Sequence, residues 1–373
     1  MKKVIIIGAG FAGLSAAGVL RREKEIDVTL IDSRETSDFL PLLPDCIGRK
    51  INPEYLAYNI NKTGFKFIKE EVVSVDLEKK QVVTQSQSLG FDHLIIASGS
   101  ETNFYGNENI RQNAYKLNGV KDVRSIINAL RENNFDNYII AGAGYTGIEA
   151  ATNLRINKPD AKIIIVERAP GILGLVQEWI QEYAARNLAK LRIDVLTQSV
   201  IDRIEDKKVY LSGNRVFDNA LVIWAAGVKT AAFVQNIKAA KNPQGRLKVD
   251  ECLRLNENCF VVGDAAYFAW KNSFLRMAVQ FAIVEGEVAA KNIARSIKGA
   301  SLIKYKPIDL GYIIPMANNR SCGRVLGINL KGPLQTLLHF MMCIYRSYGV
   351  KNKLGIIGDL IKGGFSNEKV SFN

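Results

Sequence analysis

The stretch Val4-Ile5-Ile6-Ile7-Gly8-Ala9-Gly10-Phe11-Ala12-Gly13, followed by Val28-Thr29-Leu30-Ile31-Asp32, decides the fold. A short β-branched run that feeds a glycine turn predicts a parallel strand buried on both faces. A helix is expected from about Ala12 through Leu20. In such a unit Gly8 permits the tight turn, Gly10 lets the backbone approach a pyrophosphate, and Gly13 allows close helix–strand packing. The helix N-terminus offers free N–H groups and a positive dipole end to phosphate. Asp32, closing the next strand, is placed to accept from a ribose 2′-OH. Phe11, Ala12 and Ser33 complete the expected contact set. A lone glycine fingerprint is weak, but strand, turn, helix, strand and acid in order are specific.

The same grammar recurs downstream. Tyr138-Ile139-Ile140-Ala141 reads as a strand, and Gly142, Gly144, Tyr145, Thr146 and Gly147 as turn and helix start. Lys162 to Val166 reads as the next strand, closed by Glu167. A carboxylate there repels a 2′-phosphate and favours NADH over NADPH, although the neighbouring Arg168 could accommodate that phosphate. Two such units predict an α/β chain with two Rossmann-like domains, in which electrons pass between two dinucleotides.

Bulk properties narrow the class. At 373 residues, 47% hydrophobic and 23% charged, the chain suits two or three folded domains. No apolar run reaches the roughly 18 residues of a spanning helix. Met1-Lys2-Lys3 before Val4–Ile7 imitates a signal peptide, but the glycine spacing explains the segment better as a strand and turn. The five cysteines form no CxxC pair, which favours a reducing compartment. With only two histidines, His93 and His339, no histidine-based metal site is expected.

Further segments carry a family resemblance. Phe91-Asp92-His93-Leu94-Ile95-Ile96-Ala97-Ser98-Gly99 and Leu221-Val222-Ile223-Trp224-Ala225-Ala226-Gly227 resemble the strand-to-glycine motifs of two-dinucleotide flavoproteins. Cys259-Phe260-Val261-Val262-Gly263-Asp264 resembles their second flavin motif, whose aspartate contacts the ribityl chain. Over residues 1 to about 300, motif order resembles the pyridine-nucleotide-dependent flavoprotein reductases. Within these the chain most resembles the type II NADH dehydrogenases, monotopic NADH:quinone oxidoreductases. GAGYTGIE at Gly142–Glu149 resembles their GGGxTGxE, in which the glutamate lies near flavin and nicotinamide. Phe39-Leu40-Pro41-Leu42-Leu43-Pro44 resembles the segment beside the isoalloxazine. Gln280 to Gly286 resembles the quinone-site AQxAxQQG, with departures at Val279 and Val284. The family's lysine near the flavin falls at Leu310, before Gly311.

The resemblance implies FAD and NADH as cofactors. Glu149 would position nicotinamide or assist quinone protonation, and Gln280 would donate to a quinone carbonyl. Each has a plainer explanation: a carboxylate favoured in the first helical turn by the dipole, and a buried helix-cap or flavin-contact amide. Cys46 lies near the loop where single-cysteine relatives place a catalytic thiol, but its context differs, so a packed thiol is the main expectation. Sulfide:quinone chemistry is discounted, because no cysteine falls between Cys46 and Cys252.

The C-terminal segment is basic: Arg320, Arg324, Lys331, Arg346, Lys351, Lys353, Lys362 and Lys369 outnumber Asp359 and Glu368. Leu334 to Tyr348 reads as a helix whose polar arc holds Gln335, Thr336, His339, Cys343, Arg346 and Ser347. A second, shorter amphipathic stretch covers Leu354–Lys362. A broad apolar face flanked by cations suits docking on an anionic membrane, and the alternative is packing on the core or a second subunit, as in a homodimer. Nucleic acid is not expected as a partner.

The expected organisation is an FAD domain from 1–108 and 229–318, an NAD(P)H domain from 109–228, and a membrane-association segment from 319–373. The expected activity is hydride transfer from NADH to flavin, then two electrons to a membrane quinone, at the cytoplasmic face of the membrane as a peripheral protein. The alternatives are a soluble cytoplasmic reductase using oxygen, a thiol or a protein, and a redox-sensing NADH–flavin binding protein.

Overall fold

The computed structural model describes residues 1–365 apart from Lys50, Leu175 and Asn272; the Glu368 and Lys369 charges of the basic tail fall outside the described residues. The chain divides into two compact units. The first comprises residues 1–37, 59–101 and 228–309, the second residues 38–58, 102–227 and 310–373. Residues 38–58, 102–108 and 310–318, expected in the FAD domain, group with the second unit.

The first unit is built on a six-stranded sheet. Its order is Arg254–Asn256, Cys259–Val261, His93–Ile96, Lys2–Ile7, Ile26–Asp32 and Lys66–Lys69. Every pairing is parallel except at the Arg254–Asn256 edge. Lys2–Ile7 lies between two strands that follow it in the chain, so the strand order reverses beside it. That reversal is where open α/β sheets bind ligands. Val4, Ile6, Leu30 and Ile95 are wholly buried, as their continuous β-branched runs predict. The Phe11–Leu20 helix packs against the long Val279–Ile297 helix, and Gly286 permits it: a Cβ there would overlap the Ala12 carbonyl.

The second unit repeats the plan with a five-stranded parallel sheet. Its order is Tyr115–Lys116, Ala220–Trp224, Asn137–Ala141, Lys162–Val166 and Ile193–Leu196. The Tyr145–Asn157 helix leaves the second glycine turn. The short Asp45–Gly48 helix packs across it, where a Cβ on Gly48 would overlap the Asn153 carbonyl. A three-stranded antiparallel sheet, Gly311–Ile314, Cys322–Val325 and Ile328–Lys331, leads into helices Pro333–Arg346 and Val350–Phe365. The last helix is longer than the Leu354–Lys362 stretch expected.

The Pro333–Arg346 helix is amphipathic in the inverted sense. Its polar arc points inward: Gln335 is 0% exposed and His339 7%, with Thr336 and Cys343 also buried. Its apolar side points to solvent, with Leu337 56%, Met341 55% and Tyr345 76% exposed. Of the rest of the expected polar arc, Ser347 is buried and Arg346 half-buried. Among the described residues no helix is long and apolar enough to cross a membrane.

Candidate functional site

The two glycine turns are built alike, bond for bond. Gly8 N–H donates to the Ile31 carbonyl at 2.7 Å, and Gly142 N–H to the Val166 carbonyl at 2.8 Å. Gly8 and Gly142 sit at φ +102° and +99°, a left-handed region that favours glycine. A Cβ on Gly13 would overlap the Gly8 carbonyl oxygen, and one on Gly147 the Gly142 oxygen. Those glycines answer to protein packing. Gly10 and Gly144 do not, since a Cβ on either would meet no protein atom within 4 Å. Without a Cβ, both leave the approach to the helix N-terminus open, the feature a pyrophosphate would need.

Each closing acid ties its own turn. Asp32 Oδ2 accepts the Ala9 N–H at 2.8 Å, while Oδ1 accepts the Arg34 N–H at 2.9 Å. Glu167 Oε2 accepts the Ala143 N–H at 2.7 Å, while Oε1 accepts the Ala169 N–H at 2.7 Å. A carboxylate has about four acceptor positions, so each acid keeps capacity for a ribose hydroxyl. Ser33 and Arg168, flanking the two acids, are exposed.

The other expected contact residues distribute as follows. Ala97, Ser98 and Gly99 follow the His93–Ile96 strand in the first unit, and the Ser98 hydroxyl is buried with no hydrogen-bond partner. Such an orphaned buried donor is the kind of group a bound cofactor would satisfy. In the same unit Asp264 accepts the Ser100 hydroxyl at 2.7 Å, and burial raises its carboxyl despite Ser100 and Arg246. Gly263 N–H donates to Glu285 Oε2 at 2.7 Å. Glu285 escaped the sequence reading, although it stands where the resembled motif carries glutamine. In the second unit Tyr145 stacks on Tyr312 at 5.9 Å and Thr146 is exposed. Ala226 and Gly227 follow the Ala220–Trp224 strand, with Gly227 packed beneath Tyr105. Pro41 is half-buried, whereas Leu42 and Leu43 are sealed in the core.

Two expectations are corrected. Glu149 lies past the first turn of its helix, whose first turn contains no acid, so the dipole explanation does not apply. It is instead buried against Asp45 and His339, with donor atoms of all three within 4.8 Å of one another. Gln280 is not a buried cap. It is half-exposed and donates to Asp309 Oδ1 at 3.1 Å, beside the Arg276–Asp309 ion pair. Cys46 is buried with its sulfur 3.4 Å from the Leu42 carbonyl. Burial, then the charges of Asp45 and Asp359, push its thiol well above the usual range. That disfavours the thiolate a thiol route requires.

Comparison with known proteins agrees with this geometry. The pyridine nucleotide-disulphide oxidoreductase family matches residues 2–286. A type II NADH:quinone oxidoreductase of Staphylococcus aureus is 27% identical, over 89% of this chain and 91% of that protein. The structure of NDH2 from Plasmodium falciparum in complex with NADH superposes with a TM-score of 0.85 at 19% identity, covering 100% of this chain and 99% of that one. The sulfide:quinone oxidoreductase of Aquifex aeolicus gives 0.78 at 19% identity, over 95% and 92% of the two chains. The chain belongs to the pyridine nucleotide-disulphide oxidoreductase family.

Proposed function

We propose that this protein is an FAD-dependent NADH:quinone oxidoreductase that works on a membrane surface. The observation that carries the reading is the doubled glycine turn, each with an acid tied to its own turn and a central glycine that no protein atom requires. FAD is assigned to the first unit, held by Gly8–Gly13, Asp32, Ser33, Ala97–Gly99, Gly263 and Asp264. NADH is assigned to the second, held by Gly142–Gly147 and Glu167, with Ala226 and Gly227 nearby. A bound flavin supplies two-electron chemistry between a hydride donor and a quinone.

This chain's residues supply the rest. The helix N-termini after Gly10 and Gly144 offer N–H groups to pyrophosphate. Asp32 and Glu167 orient the riboses, and the negative Glu167 disfavours a 2′-phosphate. Glu149, buried in the second unit beside Asp45, is assigned a proton-holding role. Gln280 is assigned to the quinone, with Asp309 fixing its amide.

Membrane docking rests on the inverted Pro333–Arg346 helix and on the exposed Val350, Leu354 and Ile361 of the next one. Exposed apolar rows beside Arg346, Lys351, Lys353 and Lys362 suit an anionic bilayer surface. A second copy of the chain is the competing occupant. The buried Cys46 thiol counts against a thiol-using reductase.

The test is to reduce the purified flavoprotein with NADH anaerobically and mix it with menaquinone and ubiquinone analogues, oxygen and disulfides. Fastest reoxidation by a quinone is expected. Fastest reoxidation by oxygen or a disulfide, with quinones slow, overturns the reading.

A further inference from the structure

We propose that Asp45 and His339 are positioning residues that set the protonation state of Glu149, Asp45 favouring the proton and His339 opposing it, so that the buried face of the C-terminal helix tunes the acid beside the second glycine turn. The place of this device in turnover rests on the NADH:quinone reading; its electrostatics do not.

Three separate segments converge to build it. Asp45 comes from the short helix 45–48, Glu149 from the helix after the second turn, and His339 from the inward arc of Pro333–Arg346. His339 Nε2 lies 3.3 Å from Asp45 Oδ2 and 3.9 Å from Glu149 Oε1. All three side chains are buried. Two carboxyls facing each other away from water do not both ionise, because the second negative charge has neither solvent nor space to disperse it.

The cations decide which carboxyl keeps the proton. Arg49 Nε lies 3.4 Å from Asp45 Oδ1, and His339 takes the other oxygen of Asp45. The Arg49 guanidinium is held there by Phe340, 5.0 Å away, and by the Ala317 carbonyl at 2.5 Å. These contacts gather the nearby positive charge on Asp45. Glu149 Oε1 has no hydrogen-bond donor, so Glu149 is the acid. Burial first, then the charge of Asp45, raises the Glu149 carboxyl well above its usual range, against the pull of His339 and Arg49. Burial alone would lower the His339 imidazolium, but the Cys343 sulfur, 3.9 Å from the ring, and Asp45 hold it well above its usual range.

Among the described residues the surrounding elements add no competing partner on these atoms. Asp359 of the last helix accepts the Asn52 N–H at 2.9 Å, and its charge acts on Cys46. From the antiparallel sheet, Ser321 pairs with Thr336 at 2.8 Å, while burial pushes the Cys322 thiol up to about 12. Arg346 is half-buried, with its guanidinium lowered by burial. The three donors would also suit a small cation, but Arg49 already supplies positive charge at Asp45.

Two measurements test the proposal. The chain has two histidines, so ¹⁵N-histidine NMR of the intact flavoprotein resolves both. At pH 7.5 His339 is expected as imidazolium and the buried His93, lowered by desolvation, as neutral imidazole. A neutral His339 at that pH overturns the proposal without any mutation. The second measurement is the infrared band of a protonated carboxyl, assigned to Glu149 by its loss in E149Q and followed against pH. D45N should lower its midpoint and H339Q should raise it, each by about one pH unit or more. A merely structural role would not shift the two in opposite directions. A midpoint unmoved in both variants, or moved the same way, overturns the proposal. If the carboxyl titrates as expected but no quinone reoxidises the reduced protein, the electrostatic device stands and the NADH:quinone reading fails.

Discussion

Glu285 accepts the Gly263 N–H at 2.7 Å and so ties the long Val279–Ile297 helix to the turn that carries Asp264. The bond comes with an electrostatic cost. Burial raises the Glu285 carboxyl to about 7, although the Gly263 N–H and Arg246 favour the ionised form. A carboxyl raised in the folded state contributes stability that is present below its unfolded value and lost as pH rises through the folded value. Between about pH 4.5 and 7 the loss amounts to roughly 3 kcal/mol at full ionisation. Glu285→Gln keeps an acceptor for Gly263 and cannot ionise. Its melting temperature is expected to change less than the wild type's between pH 5 and 8, by differential scanning calorimetry. Parallel pH profiles would contradict the assignment.

The glycines of each turn are expected to fail in different ways. Gly147→Ala places a Cβ into the Gly142 carbonyl oxygen, so it should destabilise the fold by at least ~1–3 kcal/mol. Gly144→Ala meets no protein atom within 4 Å and should melt close to the wild type. It should nevertheless raise the KM for NADH at least about tenfold, a loss of roughly 1.4 kcal/mol of binding. Equal melting with unchanged KM would detach Gly144 from nucleotide binding. Gly10→Ala should behave likewise for flavin retention, read by absorbance after gel filtration.

Cys46→Ala should retain NADH-dependent turnover. The thiol is buried and hydrogen-bonded to Leu42, and burial raises it, so its removal is expected to cost packing and not chemistry. A stability loss of about 1 kcal/mol is expected from the vacated volume. Complete loss of turnover in a folded, flavin-loaded variant would return the thiol to the mechanism.

The outer face of the Pro333–Arg346 helix can be changed without touching the core. Leu337→Gln, Met341→Gln and Tyr345→Gln alter side chains that are already exposed, so each should shift stability by no more than about 0.5 kcal/mol. Together they should abolish co-sedimentation with anionic lipid vesicles. If co-sedimentation persists while a dimer in solution dissociates, the face belongs to a second copy of the chain.

The two strand–turn–helix units were legible by themselves because every step is local. The glycines, the β-branched runs and the closing acids lie within one supersecondary unit, and backbone sterics dictate their order. Strand positions followed closely, with Lys162–Val166 found as expected and Lys2–Ile7 extended by two residues. Only the tertiary structure could decide what the long-range carboxylates do. Glu149 meets Asp45 and His339 across three separate segments, and no local pattern encodes that meeting. The C-terminal helix makes the same point. Its apolar and polar faces were visible as a periodicity, but periodicity does not say which face is inside. Here the buried acids of the second unit draw in the His339 face, and Leu337, Met341 and Tyr345 are left toward solvent.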